Sequence, residues 1–207
     1  MSATLLLPGL ILFLGLFIVV GNEEPAQTLS SKVEQAQGLA MECIRTMPRG
    51  SMVIFDFDHT LFNPDIIVDH VYVTDAHQRR RAIPIYKPIV PMCLVLQFAV
   101  SRGMYVTMIT ARPDTATSKR IVLENFRRNG MQLHEYHANP NYPKMNNFKA
   151  EIRSKISKIR PIALTIGDQW TDVNEATYHF IKLPTARDPS LRASLSPRGR
   201  RSEANGE

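Results

Sequence analysis

The run Met52-Val53-Ile54-Phe55-Asp56-Phe57-Asp58-His59-Thr60-Leu61 decides the fold. Its first four residues are uninterruptedly apolar, as expected of a strand buried on both faces of a parallel sheet. Side chains two apart on a strand point the same way, so Asp56 and Asp58 share one face and Phe55 and Phe57 the other. Two carboxylates leaving a buried strand together repel each other and lose hydration, an arrangement that demands a cation and a reaction to use it. In open α/β sheets ligands bind beyond the carboxyl ends of the strands, where this pair falls.

Outward from that run, residues 104–110 read as a second buried strand, 133–137 as a short third, 162–166 as a fourth ending at Gly167-Asp168, and 180–183 as the last. Between them the apolar spacing predicts helices over 32–46, 88–102, 114–129, 147–158 and 170–178, with Pro48, Gly103 and Gly130 as punctuation. Strands alternating with helices of this length give an α/β fold, a Rossmann-like three-layer sandwich with a mainly parallel sheet. Residues 59–86 are too long for a simple connection and too short for a domain, and are expected to form a small cap insertion. Residues 22–47 are expected as a linker (to Ser31) and an N-terminal helix, and 48–184 as the main domain.

With 207 residues, 44% of them hydrophobic and 21% charged, the chain supports one good core and excludes wholesale disorder. The net charge of +6 is concentrated at the end, in Arg187, Arg192, Arg198, Arg200 and Arg201 among Ser, Pro and Gly. Such a pattern in residues 185–207 is a solvated, disordered tail rather than a nucleic-acid groove, so no nucleic-acid partner is expected. Cys43 and Cys93 have no metal-ligand spacing and read as two core thiols. Residues 3–21 carry no charged side chain, and Glu23 and Glu24 follow. Residues 1–21 therefore read as an uncleaved signal anchor, making the chain a single-pass membrane protein, or as a cleaved signal peptide, making it secreted.

Four features in order carry a resemblance. Asp56-Phe57-Asp58-His59-Thr60-Leu61 follows the first strand. Thr110 ends the second in Ile109-Thr110-Ala111-Arg112-Pro113. Lys149 stands in Phe148-Lys149-Ala150-Glu151, and Gly167-Asp168-Gln169-Trp170-Thr171-Asp172 closes the fourth strand. The chain resembles the haloacid dehalogenase superfamily of phosphatases and phosphotransferases over residues 51–183, closest to the branch of class B and plant-type acid phosphatases.

The resemblance implies a Mg²⁺-dependent phosphomonoester hydrolase working through an aspartyl-phosphate. Asp56 would be the nucleophile and Asp58 the acid and base. Asp56, Asp168 and Asp172, with the backbone carbonyl of Asp58, would hold Mg²⁺. Thr110 and the backbone at Ala111 would bind the phosphoryl oxygens, and Lys149 would neutralise nucleophile and transferring group together. The substrate would be a phosphorylated small molecule or other phosphomonoester. Two rival readings are a non-catalytic storage or interaction protein on the same scaffold and a polynucleotide 3′-phosphatase. His59 reads as a neutral surface histidine and Trp170 as a packing residue. Arg79-Arg80-Arg81, inside the insertion, would make a basic cover favouring substrates with extra negative charge. Neither the substrate nor the oligomeric state is written in the sequence.

Overall fold

A computed structural model describes residues 28–74, 78–142, 147–172 and 177–184. The apolar segment 1–21 and the basic tail lie outside those residues. Among the described residues no helix is long and apolar enough to cross a membrane.

The apolar run becomes β1 (Met52–Phe55), buried at every position, and it takes the centre of the sheet. Five strands pair in the order β5-β4-β1-β6-β7, all in parallel, where β4 is Tyr105–Pro113, β5 Glu135–Asn139, β6 Ile162–Gly167 and β7 Thr177–Lys182. Alternation along β1 divides the interior in two. Val53 and Phe55 enter the larger core with α1 (Leu29–Thr46), α2 (Val90–Ser101) and α3 (Ala116–Arg128). Met52 and Ile54 enter a smaller one with Ile109, Ile162 and Ile156 of α4 (Phe148–Ser157). Helices thus cover both faces of a parallel sheet, the expected three-layer α/β sandwich.

Several boundaries move. The first helix starts at Leu29, because the Thr28 hydroxyl accepts from Ser31 N at 3.3 Å and caps it; Ser30 and Ser31 are its polar first turn, not linker. Pro88 ends a strand, and α2 begins at Val90 with proline in its first turn. Of the helix expected over 170–178, Trp170–Asp172 form a 3₁₀ turn, 173–176 lie outside the described residues, and Thr177 and Tyr178 belong to β7.

The insertion is a two-stranded antiparallel arm, β2 (Phe62–Thr74) with β3 (Arg80–Pro88). Its base is pinned to α3 by the buried Asn125, whose Oδ1 accepts from Tyr86 N at 2.7 Å and whose Nδ2 donates to Pro84 O at 3.0 Å. Further out, Asp69 meets Arg128 at the last turn of α3, at 3.5 Å. Helix α3 leaves the carboxyl edge of the sheet and runs away from it, and the arm runs along it. Register sets Arg80 opposite Thr74 and Arg81 opposite Val73. The arginines therefore stand at the arm's outer end, roughly 23 Å beyond Asn63 by the seven strand steps from Lys87 to Arg80. The basic cover expected over the entrance is not there; what the insertion brings to the carboxyl edge is its base, with Asn63 and Tyr86.

Candidate active site

Three neighbouring strands deliver the sequence-predicted residues to one edge. Asp56 follows β1 and extends its ladder, donating its N–H to Ile166 O at 3.0 Å. Thr110 lies on β4, and Asp168 follows β6. This is the carboxyl edge beside the central strand, where the chain order reverses between β4 and β6.

The structure draws Asp56, Asp168 and Asp172 together, all buried, each offering an oxygen within 4.8 Å of the others. Lys149, at the start of α4 and buried too, donates to Asp56 Oδ1 at 2.9 Å and to Asp172 Oδ1. Asp172 reaches inward because the 3₁₀ turn folds it back, with its Oδ2 accepting from Gln169 N at 3.0 Å. That approach requires glycine at 167, since a Cβ there would overlap the Asp172 carboxylate. Behind the cluster the buried Arg153 donates to Thr171 O at 2.8 Å and fixes the same loop.

Charge within the cluster does not balance. Fully ionised, the three clustered carboxylates, two of them bonded by the single ammonium, carry two negative charges more than it offsets. Burial pushes the Asp56 carboxyl up to about 8, with Asp172 adding to the rise and Lys149 opposing it. Burial and Asp172 raise Asp168 as well, against His59 and Lys149. Burial works to lower Lys149, but Asp56 and Asp172 outweigh it and its pKa is raised. Asp168 Oδ1, buried, has no hydrogen-bond partner among the described residues. A divalent cation fits this donor set: its charge equals the surplus, its oxygen preference matches three carboxylates, and it gives the orphaned oxygen a partner.

Asp58 is elsewhere. Just after it, His59 adopts a left-handed φ of 55° and donates its N–H to Phe62 O at 2.7 Å, turning the chain out of the sheet. The Asp58 carboxylate is bonded at both oxygens by Arg112, Nε to Oδ2 at 2.9 Å and Nη2 to Oδ1 at 2.6 Å. The guanidinium lies between two aromatic faces, 4.7 Å from the Phe57 ring centre and 5.2 Å from that of Tyr86. Arg112 was visible in Thr110-Ala111-Arg112-Pro113, but sequence reading gave it no role. The available signal was a second carboxylate needing a cation of its own. Thr110 is fully buried, its hydroxyl accepting from Arg112 N at 3.3 Å, and Ala111 is half-buried beside it. His59 is half-buried, not a surface side chain, and with Asp168 lines a cavity beside the cluster. Trp170 is 61% exposed, touching Phe180 edge-on with Lys182 Nζ 5.6 Å from its ring centre.

Among known proteins, none of the curated ones matches the chain. One solved chain, from a structure titled "Structure of Pnkp1/Rnl/Hen1 complex", is similar at 15% identity and a TM-score of 0.47. The similarity covers 66% of this chain and 47% of that one, so this chain spans less than half of that chain's length. A family described as "HAD superfamily, subfamily IIIB (Acid phosphatase)" matches residues 25–187, a stretch containing every residue of the site above. The chain therefore belongs to subfamily IIIB of the HAD superfamily, the acid phosphatases.

Proposed function

We propose that the chain hydrolyses phosphomonoesters with Mg²⁺, using Asp56 as nucleophile and Asp58 as general acid and base. The observation that carries this is the setting of Asp56: buried at the carboxyl end of the central strand, against Lys149, within the acidic cluster. Asp56, Asp168 and Asp172, with the Asp58 backbone carbonyl, would hold the ion. Bound there, Mg²⁺ supplies the positive charge that lets a carboxylate approach a phosphate dianion.

The protein groups divide the remaining work. An Asp56 carboxylate oxygen attacks phosphorus while the ester P–O bond breaks, and the departing alkoxide takes a proton from Asp58. The covalent aspartyl-phosphate splits one difficult displacement into two easier ones. A water then attacks phosphorus, gives its proton to Asp58, and the bond to Asp56 breaks to release inorganic phosphate. Lys149 holds Asp56 in line and faces the transferring group with a fixed positive charge. The Thr110 hydroxyl and the backbone N–H at Ala111 take the phosphoryl oxygens. Arg112 is a positioning residue. Its fork fixes Asp58, and protonation of Asp58 leaves one carboxyl oxygen to accept from it, so the pair loosens by one bond when the acid is loaded.

The test is turnover of a panel of phosphate esters by the purified protein, with Mg²⁺, with EDTA, and with Mg²⁺ restored, beside Asp56→Asn. Expected are loss in EDTA, recovery on adding Mg²⁺, and no turnover by the variant. Hydrolysis by Asp56→Asn at the wild-type rate would remove the nucleophile assignment.

A further inference from the structure

A cavity of about 360 Å³ opens beside the acidic cluster, and its inner end is formed by His59 and Asp168. Leu29 and Val33 from the first turns of α1, Ile89 ahead of α2 and Leu183 after β7 make an apolar wall. Asn63 and Asp65 at the base of the arm and Gln169 on the Asp168 loop make a polar one. The volume suits a one- or two-ring organic group, at the lower end of small-molecule pockets. Among the described residues the walls contain no lysine or arginine. With a cation taking up the charge of Asp168, Asp65 is the carboxylate that remains facing the cavity, and His59 is its other titratable lining residue.

We propose that this cavity receives the alcohol part of the substrate. It selects phosphomonoesters whose alcohol is compact, partly apolar, and uncharged or cationic, against those bearing a further anionic group. The proposal deepens the phosphomonoesterase reading and rests on it. Position supports it: the cavity shares Asp168 with the acidic cluster, so it lies within reach of an ester whose phosphorus sits there. Chemistry supports it too. Apolar walls reward a ring or chain by area, whereas a second phosphate or carboxylate would meet Asp65 with no cation to pair with. Arg79, Arg80 and Arg81, the arginines that would have welcomed a polyanion, are at the outer end of the arm.

Three non-hydrolysable probes of nearly equal shape test it: benzylphosphonate, 4-carboxybenzylphosphonate and 4-(aminomethyl)benzylphosphonate. Their Kd values are measured by calorimetry on the whole chain with saturating Mg²⁺. The cationic probe should bind tightest and the carboxylate weakest, each step being about three- to tenfold for a charge facing an exposed carboxylate. Asp65→Asn should compress the spread and Asp65→Lys should reverse it; Asp65 is exposed, so both variants keep the fold. Val33→Trp, which fills the apolar wall, should weaken all three about tenfold or more. Equal Kd values in the wild type, a spread indifferent to Asp65→Lys, or undiminished binding by Val33→Trp would each overturn the proposal. Binding needs no turnover, so a protein showing this order but unable to hydrolyse para-nitrophenyl phosphate would refute the phosphatase reading instead.

Discussion

Replacing Lys149 by methionine separates the two services the ammonium performs. The stem is kept in shape, while the charge against Asp56 and Asp172 disappears. Removing one partner of a buried pair strands the other, at a cost of about 3–5 kcal/mol. In a chain of this size each kcal/mol moves Tm by about 2–4 °C, so the metal-free variant should melt roughly 6–20 °C below the metal-free wild type. The surplus of negative charge in the cluster meanwhile rises by one. Mg²⁺ should therefore raise the Tm of Lys149→Met more than that of the wild type, closing at least half of the gap at saturation. Activity should not return with the fold. A fixed donor aimed at the reacting group is worth about 10²–10³ in kcat, and the cation cannot stand where the ammonium stood. The measurement is a thermal melt in EDTA and along a Mg²⁺ titration, beside turnover of para-nitrophenyl phosphate. A Tm gap that ignores Mg²⁺ would show that the charge imbalance is not what a cation answers to. Turnover near the wild-type level would show that Lys149 serves stability alone.

Burial holds Asp56 near 8 when no cation is present, well above an unfolded aspartate at about 3.9. The folded protein thus keeps a proton the unfolded chain has lost. That contribution to stability is complete below the unfolded value and drains as pH climbs toward 8. In EDTA the wild type should lose Tm relative to Asp56→Asn between about pH 5 and 8, and saturating Mg²⁺ should flatten the difference; parallel curves in EDTA would contradict the raised carboxyl. Gly167→Ala should push Asp172 out of the cluster, lowering turnover at least about 100-fold and erasing Mg²⁺ protection, as expected for a misplaced metal carboxylate. Gly38→Ala, in open space on α1, should instead add about 0.5–1 kcal/mol of stability, a contrast readable in one urea titration. Arg112→Lys keeps a charge but loses the fork that bonds both Asp58 oxygens, so kcat should fall about 10- to 100-fold with KM within a few-fold; a rise in KM alone would place Arg112 on the substrate rather than on Asp58.

The central strand and its carboxylates were legible because burial on two faces writes itself as an unbroken apolar run, and charge at the end of such a run is conspicuous. Asp168 and Asp172 could be read for a related reason, since Gly167 before them marks a backbone that something must approach closely. Arg112 could not be given a partner: it meets Asp58 across 54 positions of sequence, and nothing local to either residue encodes the meeting. The arm escaped notice because its long strand is mostly exposed on both faces, so no core imposed the alternation by which strands are recognised. Its anchor, Asn125, looked like an ordinary polar residue of an amphipathic helix; that it caps backbone groups of another element is visible only in three dimensions. The helix expected over 170–178 ends before Thr177, which pairs in β7, and its described start is a 3₁₀ turn that returns Asp172 toward Gly167, a local geometry that periodicity does not encode.

Asp56 and Asp58 are two residues apart and chemically identical, yet they finish in opposite surroundings, and the backbone at His59 explains how. A strand continued past Asp58 would hold both carboxylates on one face, competing for one ammonium and one ion. The left-handed turn at His59, closed by its N–H on Phe62 O, ends the strand at once and swings Asp58 toward β4. There Arg112, two residues beyond Thr110, takes its carboxylate, leaving Lys149 and the surplus charge to Asp56. A nucleophile needs to stay anionic and close to a cation, whereas an acid that must also act as a base needs room to change its bonding. In the proposed mechanism one sharp turn thus turns a repeated residue into two tools. The same turn starts the chain segment that carries Asn63 and Asp65 to the cavity wall, so the proposed reaction and the proposed selection share a single local departure from the sheet.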